Sequence, residues 1–454
     1  MNTRLLSLLV PLAIACSQSD VSKSEMPLGA NHVRIGFGVT TFSDDALHLD
    51  DSGFATVTKY LDHLHSDHVH VRVPWCRMEP KAGVYEPTTF ARVQAWTKAA
   101  IAGGQDILIS IDTHAPYFAR RDALQRDDSG NYFNSVGCGK PQTGSYPDGD
   151  PAPEYSTEAY EHFGASVGAL LACLRGDKGN VAGCTPGTNL LSHVMLEVGD
   201  ETNWGANWQT GQCESGKRWY ETGIWNQDKS CKNGNGDIGR IDPTDADLFG
   251  EIANYTAQIA HASYGFDRVS LGGVFMHSGD WGTNHPDGTK YISRIYDRVD
   301  HSDLWKHVPG HAWDKVALHF GGGCGDPHTT PWNGCSGSMK ERIDDVRAML
   351  RDKENDGGKA IWITGLLDDG SGGEQAQSDR LTQIWKGITS SYCGVASHPI
   401  TMVKFARLPD PNSTSDLSHI GFLKTNDAAN TDPKNWTPKQ DYKDLGDVLA
   451  KNCE

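Results

Sequence analysis

From residue 33 onward, short apolar runs rich in Val, Ile and Leu alternate with longer stretches in which apolar residues recur three and four positions apart. The runs fall at 33–39, 69–74, 107–111, 194–198, 269–275, 316–320, 361–367 and 400–406, and their length and composition suit buried parallel strands. Between them, 54–65, 90–102, 159–174, 248–261, 339–350 and 376–388 carry helical spacing. Strand-then-helix units built on eight strands predict an α/β fold, a (β/α)8 TIM barrel. The longest stretches with neither pattern, 114–153, 201–242 and 321–337, each follow a strand. In a barrel such loops gather at the C-terminal face, where active sites of this fold lie. They carry Trp204, Trp208, Trp219, Trp225 and Trp332, so a broad aromatic-lined cleft is expected. No composition break or Pro/Ser linker follows residue 32, which predicts a single domain over 33–454.

One segment passes directly from strand to chemistry. In HVMLEVGDETNWGANW (193–208) an apolar run leads into Gly199, Asp200 and Glu201, a poor continuation of any core, and then into Trp204 and Trp208. A carboxyl group at a strand exit is a candidate acid, and flat indole faces stack on sugar rings or serve as packing.

The N-terminus changes the setting. Arg4, an apolar stretch over 5–14 and small residues before Cys16 read as an export signal. LAIAC resembles a lipobox, so 1–15 is expected to be a lipoprotein-type signal peptide and 16–32 a tether, with membrane contact only through a lipid on Cys16; a plain secretory signal is the alternative. The protein is thus expected at the bacterial cell envelope or secreted. Of 11 cysteines, ten remain beyond Cys16, an even number in an oxidising compartment. Cys173/Cys184, Cys213/Cys231 and Cys324/Cys335 are close enough in sequence to staple single loops, and Cys76/Cys138 and Cys393/Cys453 are the pairs expected for the remainder, among the three ways four cysteines can pair. With 41 basic against 58 acidic residues, the net charge of −17 argues against nucleic acid or an anionic membrane surface as partner. A monomer is expected.

Several segments resemble clan A glycoside hydrolases, particularly family 39. VRVPWCRMEPKAGVYEPTTF (71–90) places Arg72, Trp75, Glu79, Pro80, Gly83 and Tyr85 in the order of that family's second-strand segment. IAGGQDILISIDTHAPYFA (101–119) is similar to its third unit, LHF (318–320) to its sixth strand, and HIGFLKTND with PKQDYKDLGDVL (438–449) to its closing stretch. LEVGDETN (196–203) resembles E-I-W-N-E-P-N, whose second Glu is the general acid/base; the resemblance puts Glu201 in that role, with Asp200 and Thr202 where the family has Asn and Pro. At the seventh strand, AIWITGLLDDGSGGEQAQ resembles the nucleophile segment, but Gly365 stands where the nucleophilic Glu belongs.

Glycosidic cleavage needs two carboxyl groups, one to protonate the leaving oxygen and one to act as nucleophile or activate water. Glu201 is the expected acid. Asp368 and Asp369 lead for the second carboxylate, Asp369 keeping the two-residue parity of position 365, with Glu374 and Asp112 behind them. Substrate contacts are expected from Arg72, which would also orient the second carboxylate, and from Trp75, His114, Asp200, Asn203, Trp204 and His319. No cofactor is expected. His277, Asp280 and His285 lack a metal spacing of known type, and 233–247 is oxygen-rich without the bidentate Glu of a calcium loop. The expected function is hydrolysis of an oligo- or polysaccharide. The rivals are an inactive polysaccharide-binding barrel and a non-hydrolytic carbohydrate-active enzyme.

Overall fold

A computed structural model describes residues 32–41, 51–112, 157–179, 181–200, 246–276, 287–301, 311–320, 339–366, 373–393, 400–405, 408, 422–424, 434 and 436–451. Eight parallel strands close into a barrel in sequence order: β1 Arg34–Thr41, β2 His68–Pro74, β3 Asp106–Asp112, β4 Val194–Asp200, β5 Val269–Phe275, β6 Lys315–Phe320, β7 Ala360–Leu366 and β8 Ile400–Phe405, with β8 pairing back to β1. The helices are α1 Asp51–His63, α2 Trp75–Met78, α3 Pro87–Ala102, α4 Thr157–Arg175, α5 Ala246–Tyr264, α6 Gly288–His301, α7 Met339–Asp352, α8 Glu374–Tyr392 and α9 Gln440–Leu449. A short antiparallel pair, β9 Leu423–Lys424 and β10 Thr437–Pro438, precedes α9. The (β/α)8 barrel expected from the periodicity is the fold. No helix among the described residues is long and apolar enough to cross a membrane.

Alternation along each strand builds two cores. On β2, Val69, Val71 and Val73 belong to the large core between sheet and helices, while His68 and His70 belong to the opposite face, inside the barrel. The same parity gives Ile107, Ile109 and Ile111 of β3 to the outer core and Leu108 and Ser110 to the interior. Leu108, Met195, Ala317, Trp362 and Met402 form a separate buried cluster, one layer of the barrel filling. At the N-terminal end of the strands, Arg34 of β1 pairs with buried Asp106 of β3, which also accepts from His193 Nδ1 at 2.8 Å. That ion pair ties strand starts together.

Cys173 and Cys184 are disulfide-bonded, with their Cα atoms 5.5 Å apart, stapling the end of α4 to the turn after it. Cys76 and Cys393 are also disulfide-bonded; Cys138, Cys213, Cys231, Cys324, Cys335 and Cys453 lie outside the described residues. Besides the short α2 and the closing α9, one helix lies outside the stretches with helical spacing: α6, although Tyr291, Ile292, Ile295, Tyr296 and Val299 form a buried helical stripe.

Candidate active site

The C-terminal strand ends surround a polar layer. Glu197 of β4 is fully buried on the barrel axis side, in register with Ser110 of β3 and Ser270 of β5. Its two carboxylate oxygens accept from the hydroxyls of Ser110 and Thr364, and His319 Nε2 lies 3.6 Å from Oε1. The chain of contacts continues: His70 of β2 bonds Ser110 Oγ through Nε2 at 2.7 Å, and Lys404 of β8 reaches His70 Nδ1 at 3.3 Å. An ammonium can only donate, so His70 accepts at Nδ1 and carries its proton on Nε2. Every bond then points one way, from Lys404 through His70 and Ser110 to Glu197. A buried cation and a buried carboxylate are compensated through two neutral relays, which is how charge is tolerated at this depth. Burial first, and Lys404 second, hold the His70 pKa well below the usual 6.5, keeping it the neutral relay this geometry requires.

His319, at the end of β6, is wedged between two glycines. A Cβ on Gly273 of β5 would stand 2.0 Å from its Nε2, and one on Gly365 of β7 would stand 2.5 Å from its Cγ. The imidazole therefore fills the space a side chain at position 365 would use. This gives a physical reason for the glycine at position 365: with His319 in this place no larger residue fits.

Two irregularities bear on where later residues point. Pairing between β6 and β7 shifts between Leu318 and His319, so Thr364 contacts Glu197 while Gly365 backs His319. Strict alternation fails there, and with it the parity that linked position 365 to Asp369. On β4, Gly199 has φ +90°, a left-handed conformation that glycine adopts without strain and that turns the chain just before Asp200.

Of the residues expected at the site, Asp200 is the last residue of β4, in register with Gly273. Arg72 shares the interior parity of His68 and His70, pairs in register with Ser110, and its charge acts on His70. Trp75 is 1% exposed and packs edge-on against Phe163 of α4. Its indole N–H lies 3.3 Å from Glu79 and 3.2 Å from Ser166, so it is a packing residue and its face is not offered to a sugar. Glu79, fully buried, also accepts from Ser166, His162 and the Gly83 amide, a carboxylate spent on holding α4 to the β2 segment. Glu374 is tied to Lys424 and to the Gln440 amide at 3.2 Å. The hydrogen bond from Lys424 leads the effects that pull its pKa down, which suits an ion pair at the barrel's closing segment. Asp112 ends β3 opposite Pro74. His114, Glu201, Asn203, Trp204, Asp368 and Asp369 lie outside the described residues, as do 233–247, His277, Asp280 and His285.

Sequence reasoning missed the network of Lys404, His70, Ser110, Glu197 and Thr364. The signal was present as charged residues inside apolar strand runs, Glu197 in VMLEV and Lys404 in ITMVKF, positions where charge persists only with a partner.

No family model and no curated protein sequence matches the chain. Solved structures do match. A GH5_18 enzyme from Streptomyces cattleya, in complex with GlcNAc, is 13% identical with a TM-score of 0.51 over 93% of this chain and 81% of that one. A family 39 glycoside hydrolase from the gut symbiont Bacteroides cellulosilyticus has the same identity and TM-score, over 93% of this chain and 64% of its own. The GH1 β-glucosidase from Exiguobacterium antarcticum is 10% identical with a TM-score of 0.53, over 93% and 98%. The class defined by the fold is the (β/α)8 barrel on which clan A glycoside hydrolases are built. The likeness to them is one of fold.

Proposed function

We propose that the protein is an exported glycoside hydrolase, similar to family 39, that cleaves O-glycosidic bonds of an oligo- or polysaccharide. The observation that carries this reading is the exit of β4. The strand delivers its buried Glu197 into an ordered polar layer at the C-terminal half of the barrel, turns at Gly199, and is followed directly in sequence by Glu201. Glu201 is the proposed general acid, protonating the leaving oxygen. Asp368 or Asp369 is the proposed second carboxylate, and Arg72, His114, Asp200, Asn203, Trp204 and His319 are proposed to contact sugar. The rest of the proposal is a single domain over 33–454, monomeric, behind a lipoprotein-type signal, anchored through Cys16 or secreted.

The packing of His319 against Gly365 favours a second reading, a barrel that binds polysaccharide without cutting it, because the family's nucleophile position is filled. Glu201→Gln separates the two. Under hydrolysis the variant loses roughly 10²–10⁴-fold in sugar release while retaining binding to the same glycan. Release of no sugar by the unmodified protein, across a broad panel of glycans it binds, would replace hydrolysis with the binding reading. An Asp368→Asn or Asp369→Asn variant with unaltered turnover would remove that residue from the mechanism.

A further inference from the structure

At the opposite end of the barrel, where strands begin, a histidine and three carboxylates converge from separate elements. His311 lies just before β6; Asp300 is near the end of α6; Glu354 and Asp356 occupy the turn between α7 and β7. The His311 side chain is 6% exposed and is fixed on both faces, stacked on Trp313 at 5.3 Å and set against Tyr296 at 4.0 Å between ring centroids. Its Nδ1 lies 3.0 Å from Asp356 Oδ2, and Nε2 lies 3.0 Å from Asp300 Oδ1. Lys359 is 3.2 Å from Asp356 and also donates to the His311 carbonyl at 2.8 Å.

This arrangement dictates where protons can be. Asp356, facing Lys359, is an ionised acceptor and holds the His311 proton on Nδ1. Nε2 then directs a lone pair toward Asp300 Oδ1, and one ligand atom each of Asp300, His311 and Glu354 lie within 4.8 Å of one another. Two carboxylates and an imidazole lone pair gathered this closely repel unless a cation stands among them. A proton on Nε2 satisfies Asp300 alone. Glu354 makes no hydrogen bond or ion pair among the described residues. A carboxylate behind a histidine, fixing its tautomer and ring plane, is the outer support that metal-ligating histidines ordinarily have.

We propose that Asp300, His311 and Glu354 form a divalent-cation site at the N-terminal face of the barrel, with Asp356 as the positioning carboxylate behind His311. One imidazole nitrogen with two carboxylate oxygens suits Zn2+ or a similar first-row ion, whereas Ca2+ takes oxygen ligands. The site joins the end of α6, the segment before β6 and the α7–β7 turn, so its role is to clamp three elements at the face opposite the C-terminal strand ends. It does not depend on the glycosidase reading.

The test is calorimetric titration of the chelator-stripped, full-length protein with ZnCl2 at neutral pH, with folding of each variant checked by circular dichroism. The unmodified protein is expected to bind one equivalent that His311→Ala and Glu354→Gln abolish, and that Asp356→Asn weakens about 10–100-fold. CaCl2 at the same concentration is expected not to displace it. Glu354 is part-exposed, so its Gln variant keeps the test informative if His311→Ala fails to fold. Zinc uptake that is nil, or identical in the unmodified protein and Glu354→Gln, overturns the proposal and leaves His311 as an imidazolium paired to Asp300 and Asp356. Equal displacement by Ca2+ overturns the assignment of a nitrogen ligand.

Discussion

Two neighbouring layers inside the barrel share five strands and almost the same burial, and differ in everything else. Leu108, Met195, Ala317, Trp362 and Met402 each precede, by two residues, Ser110, Glu197, His319, Thr364 and Lys404. Members of the first layer are 0–4% exposed, and so are members of the second. The apolar layer asks only for volume, since any side chain of similar shape retains its dispersion contacts and keeps water out. The polar layer asks for partners: Glu197 is held by two hydroxyls and balanced by Lys404 through His70. One step of the strand's period thus separates a region tolerant of substitution from one where a single exchange strands a charge.

The largest effect that could break this contrast is at Glu197. Glu197→Leu is close in volume but removes the carboxylate that balances Lys404 through His70 and leaves two buried hydroxyls without their acceptor. Its expected cost is about 3–5 kcal/mol in urea unfolding. Met195→Leu, one layer away on the same strand, is expected to cost less than about 1.5 kcal/mol. Equal midpoints for the two variants would show that the polar layer is merely another packing layer. Next in size is Gly365→Ala, whose methyl group would meet the His319 ring; about 1–3 kcal/mol is expected from overpacking. A Gly365→Ala protein as stable as the unmodified one would mean that His319 turns aside readily, and would reopen position 365 to a side chain.

The contrast also explains what could be read without coordinates. The wall was legible because strands buried on both faces write apolar runs and the helices between them write a 3.6-residue stripe; all eight strands lie within a residue or two of the runs that announced them. The interior layers were not, because Met195 and Glu197 occupy identical parity and periodicity cannot tell a packing position from a charged one. Trp75 illustrates the reverse: a tryptophan beside a motif drew a sugar-binding reading, while its indole N–H lies within reach of Glu79 and Ser166 in the core. Glu79, in that same motif, is fully engaged in holding α4. Bulges such as that at Thr364 depend on what the neighbouring strand places opposite, here His319; in the local sequence of β7 Gly365 is the only mark of it.

The smallest expected effect sharpens the comparison by pH. Two buried histidines inside the barrel carry it. His68, accommodated by Gly36, and His70 both have pKa values held well below 6.5, by burial first and then, for His68, by Arg34 and Lys404, and for His70 by Lys404, with His319 and Arg72 adding to it. In the unfolded chain each would take up a proton near pH 6.5, whereas the folded protein keeps them neutral. The unfolded state therefore binds more protons below that value, and stability falls as pH drops from about 6.5 toward the folded pKa values. The slope is up to about 1.4 kcal/mol per pH unit for each histidine, and the two contribute none above about pH 7.5. Urea midpoints measured from pH 7.5 down to 5.5 cover this window, and because the chain carries 19 histidines the share of His68 is read from the difference between variant and unmodified protein. His68→Leu should remove one histidine's share of the slope and leave the plateau above neutrality in place; an unchanged slope in that variant would show that His68 accepts its proton in the folded barrel.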